Sequence, residues 1–172
     1  MRVIGGEFRS RRLVSLPGLD TRPTPDRLRE TLFDILAPRI EGAVFVDAYA
    51  GTGAVGIEAL SRGAARCVFV ESGRRAVEAI RHNLHALGIE ERASVVVGKV
   101  AKAAAHLEGD IAFLDPPYEM TDEYAAALEQ VRAELVIAQH AARFDPGETH
   151  GEWQRARLLK QGDNALSFYE RK

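Results

Sequence analysis

Short apolar runs alternate with segments of helical periodicity through most of the chain. The apolar runs, which show no polar alternation, are 44–46, 68–70, 95–97, 111–114 and 135–138. Such runs are typical of parallel strands whose two faces are both covered by helices. Helices are predicted between and before them, at about 24–36, 55–62, 76–87, 100–107 and 122–132. The pattern therefore predicts a doubly wound, Rossmann-like α/β sheet.

Both ends of the chain are predicted to be antiparallel hairpins. Residues 2–16 contain a Gly5-Gly6 turn, and the runs 155–161 and 165–169 flank Gly162-Asp163-Asn164. We expect a mixed seven-stranded sheet that ends in the C-terminal hairpin, with a small N-terminal β-hairpin extension. The whole chain, 1–172, is predicted to be one domain, with an arm over 1–23 and a catalytic core over 24–172.

The first long helix is predicted to begin at Thr24-Pro25. Thr24 is suited to cap the free amides, and proline fits the first helical position, where no N–H is needed. Apolar side chains then recur with helical spacing at Leu28, Leu32, Ile35 and Leu36. Arg27 and Arg29 lie off this stripe, so we expect both to reach solvent or a ligand.

The charge distribution is uneven, although the net charge is only −2. Residues 1–29 carry seven arginines against three acidic residues. A basic end on a mildly acidic chain is suited to contact phosphates, although a solvated charged surface explains it equally well. The single cysteine, Cys67, excludes an internal disulfide, and no apolar run is long enough to span a membrane. We expect a cytoplasmic protein.

A glycine-rich loop follows the first strand. Gly51, Gly53 and Gly56 satisfy Gly-x-Gly-x-x-Gly, and Glu71 follows the second strand twenty residues after Gly51. This spacing alone fits a dinucleotide site, in which the acid binds ribose hydroxyls. A tight strand-to-helix turn without a ligand is the structural alternative.

Asp47, before this loop, discriminates between the possible cofactors. A pyrophosphate ~5 Å from its carboxylate would be repelled by on the order of 3 kcal/mol at an effective dielectric of 20. S-adenosylmethionine (SAM) instead presents a sulfonium and an ammonium, which Asp47 would attract. We therefore predict SAM as the cofactor. The predicted cofactor-binding residues are Asp47, Tyr49, Ala50, Gly51, Thr52, Gly53, Glu71 and Asp115.

The predicted catalytic residues follow the fourth strand, at Asp115, Pro116, Pro117 and Tyr118. Consecutive prolines stiffen the segment, so its polar groups are held at fixed positions. The Asp115 carboxylate and the Pro116 carbonyl can accept both N–H bonds of an aromatic amine, and Asp115 stabilises the charge that develops on nitrogen. Tyr118 can stack on the base, a contact worth ~1–3 kcal/mol. A rigid turn that exposes a surface tyrosine is the alternative.

These motifs resemble those of SAM-dependent methyltransferases, and specifically of the bacterial RsmD family. The opening segment 2–9 and the segment 22–33 resemble the family's N-terminus, 47–64 its cofactor loop and Asp115–Tyr118 its catalytic motif. The chain departs from the family pattern at Lys99 after strand three and at Gln139 after strand five.

The resemblance implies methylation of the exocyclic N2 amine of one guanine in 16S ribosomal RNA, within a 30S subunit or an assembly intermediate, by a monomer. The arm and the helix start are expected to contact RNA phosphates. The predicted RNA-binding residues are Arg2, Arg9, Arg11, Arg12, Arg22, Thr24 and Arg27.

Two other functions remain open at this point. The same four residues can hold the N6 amine of adenine in DNA, although the chain is small for a separate DNA-reading domain. A module that binds SAM and RNA without turnover is the second alternative. His82 and His85 are spaced to share a metal, but no third ligand with suitable spacing is visible, so no metal is expected.

Overall fold

A computed structural model of the chain describes residues 1–17 and 24–172. The helices are α1 Asp26–Ile40, α2 Ala54–Ser61, α3 Arg74–Leu87 and α4 Glu123–Gln130. The strands are β1 Val44–Ala48, β2 Arg66–Glu71, β3 Ala93–Val97, β4 Ile111–Leu114, β5 Leu135–Ala141, β6 Thr149–His150, β7 Trp153–Gln161 and β8 Asn164–Arg171. Within the described ranges, every helix is too short or too polar to span a bilayer.

All strands belong to one mixed sheet in the order β3-β2-β1-β4-β5-β8-β7-β6. Strands β1 to β5 are parallel, and β8, β7 and β6 continue the sheet in antiparallel fashion. The Rossmann-like α/β prediction is confirmed, but the sheet has eight strands rather than seven. The additional strand, β6, is two residues long, too short to leave a periodic signal in the sequence.

Helices cover both faces of the parallel strands, as their continuous apolar character indicated. One core layer contains Phe45, Phe69 and Phe113 together with residues of α1, α2 and α3. The other contains Val46 and Leu114 together with residues of α4 and the C-terminal hairpin. The helix expected near 100–107 is instead two short 3₁₀ turns, at 100–102 and 104–106.

The N-terminal arm folds back on itself, but with little regular pairing. One antiparallel bridge joins Arg2 and Arg12, and the amide of Val3 donates to the carbonyl of Arg11 at 2.9 Å. The arm packs on the sheet-covering helices, because Val3, Phe8 and Leu13 are buried in the core. The predicted hairpin is therefore present as a short antiparallel pairing of residues 1–3 with 10–13, and it is also held by contacts with the rest of the domain.

Two expectations for α1 are wrong. Thr24 does not cap the helix, because its hydroxyl donates to Oε1 of Gln139 at 2.8 Å and the helix start has no side-chain cap. Arg29 does not reach solvent but is fully buried, where it pairs with Asp26 and Glu58. The helix is covered by the arm as well as by the sheet, so a residue beside the apolar stripe is also enclosed.

Candidate active site

Three carboxylates meet at the carboxyl edge of the sheet, where the strand order reverses. Asp47 lies in β1, paired in register with Phe69 of β2 and Phe113 of β4. Glu71 is the last residue of β2, and Asp115 directly follows β4. The switch point lies between β1 and β4, because the chain continues from β1 toward β2 on one side and from β4 toward β5 on the other. Ligands of open α/β sheets bind at such a point. The fold therefore brings together the three acidic residues that the sequence singled out.

Asp47 is the most enclosed of the three, with 2% of its surface exposed. Its Oδ2 accepts a hydrogen bond from the amide of Gly56 at 2.9 Å. Burial raises the pKa of Asp47 well above its usual range, and the neighbouring charges of Asp115 and Glu71 raise it further. A carboxylate in such surroundings is stabilised by an added cation and destabilised by an added anion.

The loop after β1 is held in a left-handed conformation at several positions. Tyr49 has φ 59°, Gly51 φ 59° and Gly53 φ 85°. Only glycine adopts such values without strain, and a non-glycine residue there costs of order 1 kcal/mol or more. The hydroxyl of Tyr49 donates to Oε2 of Glu123 at 2.6 Å, which ties the loop to the first turn of α4.

Glu71 fixes the shape of the same loop through its two oxygens. Oε1 accepts from the amide of Gly51 at 2.7 Å, and Oε2 accepts from the amide of Gly73 at 2.7 Å. Because each carboxylate oxygen has two lone pairs, both can also accept from hydroxyl donors of a ligand. Glu71 can thus position the loop and bind ribose hydroxyls at once.

The segment after β4 carries the predicted catalytic residues. Burial raises the pKa of Asp115 to about 7. Pro116 is buried, whereas Pro117 is exposed and Tyr118 is partly exposed. The Tyr118 hydroxyl donates to Oδ1 of Asn164, at the start of β8. The start of the last strand therefore holds Tyr118 of the predicted catalytic segment in place.

Several residues around the site could not be found from the sequence. Glu123 and Asn164 hold Tyr49 and Tyr118, but they come from elements that are distant along the chain. Tyr124, the neighbour of Glu123 in α4, donates to the backbone carbonyl of Gln139 at 2.8 Å. Gln139 is one of the two positions at which the chain departs from the family pattern. No local pattern marks these residues, because their partners are set by the sheet order.

The predicted RNA-binding residues differ in accessibility. Arg2, Arg9, Arg12 and Arg27 are exposed, and Arg11 is exposed while donating to the carbonyl of Ala86 at 3.1 Å. Thr24 is only 6% exposed. Arg22 lies outside the described residues.

The histidine pair on α3 is exposed to solvent, and His85 contacts Glu90 at 2.8 Å. Among residues 1–17 and 24–172, no group of three or more histidine, cysteine or carboxylate side chains is arranged so that it could hold a metal ion.

The parallel core, its switch point and the acid–glycine–acid loop define the class of the protein as a Rossmann-like methyltransferase. A solved structure named "Putative methyltransferase yhhF from Escherichia coli" matches it with a TM-score of 0.85 and 32% identity, over 100% of this chain and 98% of that one. The chain belongs to the family described as "Conserved hypothetical protein 95", whose model matches residues 1–170.

Two curated relatives are similar in sequence. The Bacillus subtilis protein named "Putative rRNA methyltransferase YlbH" is 32% identical over 186 residues, which cover all of both chains. The Escherichia coli protein named "Ribosomal RNA small subunit methyltransferase D" is 42% identical over 123 residues, which cover 69% of this chain and 60% of that protein. The resemblance to the RsmD family is thereby confirmed.

Proposed function

We propose that this protein transfers the methyl group of SAM to the exocyclic N2 amine of a guanine in 16S ribosomal RNA. In this proposal it acts as a monomer on RNA within a 30S subunit or an assembly intermediate. The observation that carries the proposal is the convergence of Asp47, Glu71 and Asp115 at the ends of three adjacent strands. The names of the relatives support rRNA as the substrate.

The charge and shape of the site fit SAM better than a phosphorylated cofactor. Asp47 is buried beside two further carboxylates, an arrangement that attracts the positive groups of SAM and repels a pyrophosphate. Glu71 faces the glycine loop and is placed to accept from ribose hydroxyls. When bound, SAM supplies the electrophilic methyl group.

The catalytic segment is suited to hold an aromatic amine. Asp115 and the carbonyl of Pro116 can accept the two amine hydrogens, which frees the nitrogen lone pair for in-line attack. The ionised Asp115 then stabilises the positive charge that develops on nitrogen. Tyr118, oriented by Asn164, is placed to stack on the base. A base must leave its stack to enter such a recessed site, which favours a loop or a flipped nucleotide.

The exposed arginines of the arm are suited to the phosphates that flank the target. Arg2, Arg9 and Arg12 form no ion pair among the described residues, so their charges are free to contact RNA. Such contacts position the substrate and carry no sequence information. The choice of the methylated base would then depend on residues 115–118 and on the side chains that surround them.

The proposal is tested by incubating the protein with labelled SAM and 30S subunits from a strain that lacks this modification, and mapping the label. We expect one N2-methylguanine in 16S RNA. Asp115→Ala should abolish incorporation, whereas S-adenosylhomocysteine (SAH) should still bind, although more weakly, because Asp47 and Glu71 keep two of the three carboxylates. Asp122→Asn, at an exposed acid nearby on the same segment, is the matched control and should retain activity.

Two results would contradict the proposal. Label in duplex DNA but not in ribosomal RNA would indicate adenine methylation in DNA. Tight binding of SAH and RNA with no label in either substrate would indicate a binding module.

A further inference from the structure

Asn83 is a buried polar residue in the middle of α3. Only 2% of its surface is exposed, although asparagine is a poor helix former and a buried amide is costly unless it is hydrogen-bonded. The neighbouring buried positions of the helix, Ile80, Leu84 and Leu87, are all apolar. A function beyond packing would explain a side-chain amide at this position.

The amide of Asn83 joins two segments that are distant in sequence. Its Oδ1 accepts from the backbone amide of Val14 at 2.8 Å, and its Nδ2 donates to the carbonyls of Val14 at 3.4 Å and Thr52 at 3.2 Å. Both hydrogens and the oxygen are thereby used, and one side chain binds both the arm and the glycine loop.

Each of the joined segments has a separate place in the proposed reaction. Thr52 lies between Gly51 and Gly53, in the loop that is expected to bind the cofactor. Val14 follows the arginine-bearing part of the arm and is 38% exposed, although its amide is bound by Asn83. A shift of either segment would therefore act on the other through the side-chain amide of Asn83.

The rest of the arm is held at a distance from the loop, by α2 rather than by Asn83. Glu58 accepts from the amides of Ile4 and Gly5, both at 2.9 Å, and Ser61 accepts from the amide of Phe8 at 2.9 Å. A change at Asn83 would therefore affect the arm around Val14, while residues 4–8 stay attached to α2.

We propose that Asn83 is a positioning residue that couples the arm to the cofactor loop, so that substrate RNA on the arm and cofactor on the loop favour each other's binding. The inference rests on the proposed function, because it requires RNA on the arm. Linkage makes the effect reciprocal: RNA tightens the binding of SAH by the same factor as SAH tightens the binding of RNA.

The coupling is tested by equilibrium dialysis of radiolabelled SAH, with and without saturating 30S subunits that lack the modification. In the wild type, we expect the subunits to tighten SAH binding about fivefold or more. In Asn83→Leu, which has a similar shape but no amide, the ratio of the two affinities should fall to about one. His82→Ala, at the exposed neighbouring position on α3, is the control and should keep the wild-type ratio.

The ratio separates coupling from a merely structural role, because a general loss of stability changes both SAH measurements equally. Asn83→Asp is a second variant: it keeps the acceptor for Val14 and loses both donors, so it should also lower the ratio. A folded Asn83 variant with the wild-type ratio would overturn the inference, as would a wild type whose SAH affinity is unaffected by the subunits.

A measurement on the wild type alone covers the case in which the variants do not fold. Hydrogen exchange with and without SAH should show slower exchange over residues 10–16 when SAH is bound, because the loop then holds Asn83 and hence Val14 in place. Unchanged exchange there, with protection at residues 47–56, would show that the loop and the arm are independent. Methylation of 30S subunits by the wild type reports separately on the proposed function.

Discussion

Arg29 of α1 and Glu58 of α2 form an ion pair at 3.4 Å in which neither side chain is exposed to solvent. The Glu58 carboxylate also accepts from the backbone amides of Ile4 and Gly5, and Arg29 donates to the carbonyl of Arg2 at 2.5 Å. The pair thus joins the arm, α1 and the helix that follows the cofactor loop. Removing one member leaves the other charge buried and only partly compensated.

Glu58→Gln should lower the free energy of unfolding by ~3 kcal/mol, because the Arg29 cation remains buried without a full counter-charge. Urea denaturation measures this loss. Glu170→Gln is the matched control, since Glu170 pairs with Arg39 at the same 3.4 Å but both side chains are exposed, and it should change stability by less than ~1 kcal/mol. Equal effects of the two substitutions would show that burial of the Arg29–Glu58 pair is unimportant.

Asp47→Asn should stabilise the free protein and weaken cofactor binding. The wild-type carboxylate has a raised pKa because it is buried near Asp115 and Glu71, so removing its charge should raise the free energy of unfolding by ~1 kcal/mol. The same change removes the attraction for the ammonium of the cofactor and should weaken SAH binding at least ~10-fold. Thermal unfolding and calorimetry measure the two effects, and a variant that binds SAH as well as the wild type would contradict the role of Asp47.

Activity should fall in acid as Asp115 takes up a proton. Its pKa of about 7 is raised by burial, and the proposed step requires the ionised form. The ratio kcat/KM for SAM, which reports ionisations of the free enzyme, should therefore fall ~10-fold per pH unit below about pH 7. A profile that is flat between pH 6 and pH 8 would show that Asp115 titrates lower or is not required.

The same shift makes a stability prediction. A carboxyl group whose pKa is raised on folding binds its proton more tightly in the folded state, so its contribution to stability is present at low pH and is lost as pH rises through the folded pKa. Asp115→Asn should therefore be more stable than the wild type at pH 8, by up to ~4 kcal/mol, and this gain should shrink steadily below about pH 7 and vanish near pH 4. A gain that does not depend on pH would require another cause.

Two glycines of the Gly-x-Gly-x-x-Gly motif, Gly51 in the loop and Gly56 in α2, should respond differently to alanine. At Gly56, a Cβ would lie 2.3 Å from Cε1 of Phe69 and 2.7 Å from Sγ of Cys67, so Gly56→Ala should destabilise the protein by ~1–3 kcal/mol through overpacking. At Gly51 the space is open but φ is 59°, so Gly51→Ala should cost only ~1 kcal/mol of backbone strain. Denaturant titration of both variants measures the two losses of unfolding free energy. A larger loss for Gly51→Ala than for Gly56→Ala would contradict the prediction.

The sequence alone determined the α/β class, the parallel core and the three acidic positions of the candidate site. This was possible because buried parallel strands are continuously apolar, and because Asp47, Glu71 and Asp115 each stand at or just after such a strand. Strands in one parallel sheet place their carboxyl ends at one edge, so the strand pattern, the glycine motif and the Asp-Pro-Pro-Tyr motif together predicted that these residues lie close to one another.

Only the tertiary structure decided how the site is held. Arg29 follows the pattern of an exposed position, yet the arm covers it, and Thr24 reaches Gln139 instead of capping α1. The contacts of Asn83 with Val14 and Thr52 depend on where the arm crosses the sheet-covering helices. Local periodicity reports which face of an element is buried, but the partner of a buried polar group is set by the packing of segments far apart in the chain.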